Sequence, residues 1–236
     1  MSTPPAREER VTRAKRSVPV DYGLVLTLVS ASIALQLLTT GSSFTRLLTI
    51  ALQAATLVAA VWTAGAHRRI VRLAAAVAML MVFAAAVVWV FHGSVPPAPA
   101  GIVNGLLVAV APVALAGGLL RALRDDGAVT LRTVAGVLAI FLLAGMFFSF
   151  LYSVIGAFEP DAVFTEQAHT TASDNLYFSF VTLCTVGYGD LTPAADITRT
   201  FAVAEMLFGQ IYLVTVVALI VSNLGRRREP VTRPLR

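Results

Sequence analysis

TLCTVGYGD, residues 182–190, places two glycines, a tyrosine and an acid inside a chain otherwise dominated by Leu, Val and Ala. The surroundings decide how it is read. Of the 236 residues 57% are hydrophobic and 13% charged, and the mean hydropathy is +0.80, which excludes an ordinary soluble domain and describes a membrane protein. A crossing of the hydrocarbon core takes about 20 mostly apolar residues. Six such runs are present: Asp21 to Thr40, Leu47 to Gly65, Ile70 to Phe91, Gly101 to Leu120, Thr133 to Phe158 and Thr200 to Leu224. The first is too long for the apolar core of a signal peptide and no small-residue cleavage site is obvious after it, so it is expected to remain as a span.

The nonapeptide lies in the gap of some forty residues between the fifth and sixth runs. Residues 159–173 are polar and read as an extracellular loop. DNLYFSFVTLC, residues 174–184, is apolar and helix-compatible but only eleven residues long, too short to span; a re-entrant half-helix is expected. Ser173 or Asp174 is suited to cap it, and an acid there also favours the positive end of the helix dipole. Non-helical backbone at membrane depth is tolerated only where protein covers it or water and ions line it. Gly187 and Gly189 accept positive φ, and alternating left- and right-handed backbone turns successive carbonyl oxygens to one side of an extended strand. One strand offers a column of oxygens. Four strands about an axis offer rings that can replace the water around a dehydrated monovalent cation.

At these residues the chain resembles the potassium channel superfamily, in its pore module of outer helix, pore helix, filter and inner helix, over about Thr133 to Leu224. The resemblance implies that Thr185, Val186, Gly187 and Tyr188 form K+ sites through their carbonyls, with the Thr185 hydroxyl at the inner end and Gly189 closing the outer mouth. It also implies that Asp190 is braced behind the filter by a pore-helix aromatic, here Tyr177 where many members have tryptophan. A phenol can donate one hydrogen bond to a carboxylate. Val181 stands where some bacterial members carry a second buried acid, and Cys184 replaces the threonine commonly found before the filter. Cys184, the only cysteine, rules out an intrachain disulfide and any cysteine-cluster metal site and is expected as a small buried side chain.

Glu205 falls about 9 Å along the sixth span from Arg199, inside the apolar run. An ionisable group there is costly and usually functional; it is expected to brace the pore helix through Thr182 or Ser179, or to bias gating, against a bland alternative of a helix-end acid near interfacial water. Gly209 falls at the family's hinge position, with close helix packing as the alternative.

Basic residues fall in alternate segments. Sixteen of the eighteen Lys and Arg precede the first run, follow the sixth, or lie between the second and third or the fourth and fifth; Arg46 and Arg199 are the others. The positive-inside rule then puts both termini in the cytoplasm. Topology and anionic lipid explain the arginines better than nucleic acid, since no tail or loop is long enough for a reading module. Arg226, Arg227 and Arg228 are candidates for lipid contact, with anchoring of the helix end as the plainer role. From Gly101 to Leu120 there is no Lys or Arg, and steep voltage gating needs three or four charges per subunit, so no voltage sensor of the usual kind is expected. His67, His92 and His169 read as solvated, and Asn104, Gln36 and Gln53 as interhelical hydrogen-bonding groups.

The expectation is an all-α membrane protein of six transmembrane helices plus a re-entrant pore helix and extended filter, assembled as a homotetramer. Residues 1–19 form a basic cytoplasmic tail, 20–130 a four-helix transmembrane domain without gating charges, 131–225 the pore domain and 226–236 a second basic tail. Within the pore domain the pore helix is 174–184, the filter 185–189 and the inner helix 200–224. The expected function is passive, potassium-selective conduction across the cytoplasmic membrane, with K+ as permeant ion, no cofactor and membrane lipids as partners. A non-conducting channel-like subunit and a weakly selective cation channel are the rivals; an enzyme comes third, with no paired acid, nucleophile or metal constellation in view.

Overall fold

The computed structural model describes residues 22–38, 42–126, 131–165 and 170–224. Among these residues seven α-helices follow one another: α1 (Tyr22–Leu38), α2 (Ser43–Thr63), α3 (Arg68–His92), α4 (Pro97–Asp126), α5 (Leu131–Phe158), α6 (Ala172–Leu183) and α7 (Asp196–Leu224), with a 3-10 turn at Pro160–Ala162. Among the described residues four helical stretches are long and apolar enough to cross a membrane: Ser43–Thr63, Arg68–His92, Pro99–Arg121 and Thr133–Phe158. This is a multi-pass, all-helical membrane protein. Within the first expected span the described part of α1 has 17 residues, the lower limit for a crossing. Its expected ends, Asp21 and Thr40, lie outside the described residues, as do both basic tails, Arg226 to Arg228 and His169.

Helix α5 is the centre of the fold, packing against α1, α4, α6 and α7, while α2 joins α1, α3 and α4. Helix α3 is peripheral. Ile70, Leu73, Met79, Leu80, Phe83 and Phe91 are exposed along it, which suits a lipid-facing element. Between helices, contact and interhelical hydrogen bonds matter more than hydrophobicity, because lipid is as apolar as leucine. The Gln53 side chain of α2 donates to the Ser32 hydroxyl of α1 at 2.8 Å, and the Tyr212 hydroxyl of α7 donates to the Val137 carbonyl of α5 at 2.6 Å. Pro112 lies inside α4, which runs on through it; the local loss of one hydrogen bond does not end the helix.

Two boundaries differ from the sequence reading. The pore helix spans Ala172–Leu183 rather than 174–184, and neither Ser173 nor Asp174 is its cap. Thr171 holds that position: its hydroxyl accepts from the Asp174 N–H at 3.1 Å, and Asp174 Oδ2 accepts from the Thr171 N–H at 2.9 Å. This reciprocal box satisfies two orphan donors at once. The inner helix begins at Asp196 rather than Thr200, adding about one turn.

Candidate functional site: a re-entrant helix and its strand

Helix α6 is wedged between α5 and α7. Phe178 on it meets Tyr152 of α5 and Phe164 of the preceding loop edge to face, with ring centroids 5.1 and 4.9 Å apart. The loops on either side of the site are tied together. Thr165 N–H donates to the Thr192 carbonyl at 3.0 Å, Ala194 N–H to the Val163 carbonyl at 3.1 Å, and the Thr198 hydroxyl to the Ala162 carbonyl at 2.6 Å. The entry to α6 and the exit from the TVGYG strand are thereby held as one unit.

Where α6 ends, the strand begins in unusual backbone. Thr185, Gly187 and Gly189 have φ of 55°, 59° and 79°, whereas Val186 and Tyr188 are not in the positive region. The signs alternate residue by residue, as the sequence reading of the strand requires. Glycine accepts this conformation freely, and a Cβ at Gly187 or Gly189 would meet nothing within 4 Å, so backbone conformation rather than crowding selects glycine there. Thr185 is β-branched, for which positive φ is a genuine outlier. It is held there by the end of α6: the Thr185 N–H donates to the Thr182 carbonyl at 2.9 Å and the Val186 N–H to the Val181 carbonyl at 2.9 Å. The position of Val181, read from its side chain, contributes its carbonyl instead.

Behind the strand the Tyr177 hydroxyl donates to Asp190 Oδ2 at 2.8 Å, and the Tyr177 ring lies parallel to that of Tyr188, with centroids 6.4 Å apart. Glu205 is fully buried, so the interfacial-water alternative does not describe it. The Ser179 hydroxyl lies 2.5 Å from its Oε1, and the Tyr152 hydroxyl donates to its Oε2 at 2.7 Å. Thus α5, α6 and α7 meet at one carboxyl group. Of the two expected partners, Thr182 and Ser179, it is Ser179 that bonds Glu205; sequence reasoning missed Tyr152, whose only signal was a phenol in an otherwise aliphatic and phenylalanine-rich run. At Gly209 a Cβ would overlap the Leu183 carbonyl oxygen. The absent side chain lets α7 touch the last turn of α6, and α7 is unbroken there.

One expectation needs correction. Cys184 is exposed in the protomer rather than buried, because it caps α6 at the point where the strand departs. Gln53 bridges α2 and α1 through its Nε2, while its Oε1, like Gln36 Nε2 and Asn104 Oδ1, is a buried polar atom without a partner among the described residues. His67 is exposed, in keeping with a solvated reading, and also caps α3, its Nδ1 accepting from the Arg69 N–H at 3.3 Å.

With this geometry, the chemistry on offer is a file of carbonyl oxygens fixed at the C-terminal end of a short helix. A family described as Ion channel matches residues 136–226. Two-pore potassium channel 2 of Arabidopsis thaliana is 30% identical over 86 residues, 36% of this chain and 18% of that protein. Two pore potassium channel a of Oryza sativa subsp. japonica is 39% identical over 88 residues, covering 36% of this chain and 24% of the relative. Protein LctB of Geobacillus stearothermophilus is 37% identical over 87 residues, 34% of this chain and 63% of that protein. The chain therefore spans a quarter or less of these plant relatives and under two thirds of the bacterial one. No solved structure matches the chain significantly.

Proposed function

Through residues 136–226 the chain belongs to the potassium channel superfamily, and from that premise we propose that it is a potassium-selective channel of the cytoplasmic membrane. The observation that carries this reading is the alternation of φ at Thr185, Gly187 and Gly189 at the end of α6. Carbonyls of Thr185, Val186, Gly187 and Tyr188 take the place of water around K+, as in filters of this sequence. The negative end of the α6 dipole steadies a cation before it dehydrates.

One chain carries one TVGYG, so four copies close the filter as a homotetramer. Val186 and Tyr188 are 51% and 71% exposed in the protomer, which supports neighbours on that side. Six spans are proposed, adding α1 and α7 to the four apolar stretches given above. Helix α7, with 29 residues and about 43 Å of length, lines the inner cavity. Both termini face the cytoplasm by the bias of the arginines. Tyr177 and Asp190 brace the filter from behind, Glu205 ties it to the inner helix, and bending near Gly209 is the proposed gate movement. Helix α4 lacks Lys and Arg from Pro97 to Leu120, which supports a gate not driven by voltage in the usual way.

The test is potassium flux into liposomes holding the purified protein, with sodium flux and Gly187→Asp as controls. Selective flux abolished by the substitution is expected. A persistent tetramer without flux, across pH, lipid composition and tension, would favour a non-conducting subunit.

A further inference from the structure

Five helices end around a second feature, remote in sequence from the filter strand: a cavity of about 620 Å³ between α1, α2, α4, α5 and the start of α6. It lies at the N-terminal end of α2, and so at the opposite end of that helix from Arg68 and Arg69. Its volume is in the range of small-molecule sites. Five buried side-chain polar atoms lack a hydrogen-bond partner among the described residues, and three of them belong to residues lining this one cavity: Gln36 Nε2, Asn104 Oδ1 and Asn175 Oδ1. These three side chains are only 5%, 4% and 2% exposed. Buried polar groups are normally paired, so three orphans in one cavity wall point to a ligand. Asn175 is held in place, since its Nδ2 donates to the Ser153 hydroxyl at 2.9 Å and its Oδ1 is the atom left over.

The charge of the wall fixes the kind of ligand. Arg46 lines the cavity, its guanidinium pinned by donation to the Val95 carbonyl at 2.8 Å. The first residues of α6 line it too, with the Thr171 N–H already held by Asp174, and no carboxylate lines the cavity among the described residues. Arg46 calls for anionic oxygens and Gln36 Nε2 for an acceptor, while Asn104 and Asn175 call for O–H or N–H donors. Phe150 and Ala100 supply an apolar flank.

We propose that this cavity binds a small hydroxyl-bearing anion of the phosphoglycerol type: the phosphate at Arg46 and Gln36, the hydroxyls donated to Asn104 and Asn175. The group can arrive as a lipid headgroup or as a free glycerol phosphate. Because Asn175 stands in the first turn of α6, occupancy bears on the helix that carries the filter strand.

The test measures thermal stabilisation and ligand retention by native mass spectrometry on the full chain. Glycerol 3-phosphate is the soluble probe; phosphatidylglycerol in phosphatidylcholine nanodiscs, against phosphatidylcholine alone, is the lipid probe. Binding of both shows that the group itself is sufficient, and binding of the lipid alone assigns the source to the membrane; either supports the site. Arg46→Gln and Asn104→Leu, made singly, are each expected to weaken binding about tenfold, with Arg46→Lys intermediate. A chain with Arg226, Arg227 and Arg228 replaced by Gln is expected to bind as before. No binding of either probe overturns the proposal. So does unchanged affinity in properly assembled Arg46 and Asn104 variants, or loss confined to the triple variant.

Discussion

Glu205 on α7 and Ser179 on α6 stand 2.5 Å apart, while the same Ser179 hydroxyl lies 2.7 Å from the Gly145 carbonyl of α5. A hydroxyl has one proton to donate and cannot serve both oxygens. The network therefore has room for a donor at position 205 as well as an acceptor for Tyr152. Glu205→Gln supplies both and is expected to keep stability within about 1 kcal/mol, whereas Glu205→Leu leaves the buried Tyr152 hydroxyl without its acceptor, at about 1–3 kcal/mol, while Ser179 keeps the Gly145 carbonyl. Thermal unfolding of the assembled protein in detergent checks this; equal loss in the two variants would contradict it.

The brace behind the strand makes a separate prediction. Tyr177→Phe removes the donor to Asp190 but keeps the ring beside Tyr188. Open bursts in single-channel recordings are expected to shorten. Tyr177→Trp, which restores an N–H donor, is expected to keep them longer than Phe does, and burst lengths unchanged in both variants would remove the brace from the account.

Gly209 allows α7 to meet Leu183 backbone directly. Gly209→Ala forces the two apart and is expected to cost about 1–3 kcal/mol, as overpacking does. A purely hinge-based role predicts altered open probability with unchanged thermal stability, so measuring both separates packing from bending.

Thr171→Ala removes the capping box of α6 and is expected to cost about 0.5–2 kcal/mol, with Thr171→Ser close to wild type. The comparison is made by thermal unfolding, and an Ala variant as stable as wild type would show that the cap is dispensable.

Much of this site was legible because its constraints are local. The pentapeptide fixes backbone through glycine, and the eleven apolar residues before it are too few to cross a membrane. Ser179 could be named, together with Thr182, because both are hydroxyls on the pore helix; the approach of α7 selects Ser179. What escaped reading depends on tertiary approach. Tyr152 lies 53 positions from Glu205, and nothing in its own run marks it as a partner. The Thr171 cap was passed over for nearer polar residues, although T-x-x-D is itself a cap signature. Positive φ at Thr185 has no sequence signal, since the neighbouring N–H bonds to α6 impose it. The cavity behind Gln36 and Asn104 was invisible because a polar residue in a span looks the same whether it meets a partner helix or an opening.

The central claim is that this strand passes K+ and rejects Na+. The most direct measurement is the reversal potential across a planar bilayer with K+ on one side and Na+ on the other. A potential strongly displaced in the direction set by K+, and lost with Gly187→Asp, is the predicted result; a current reversing near zero would contradict a potassium-selective filter.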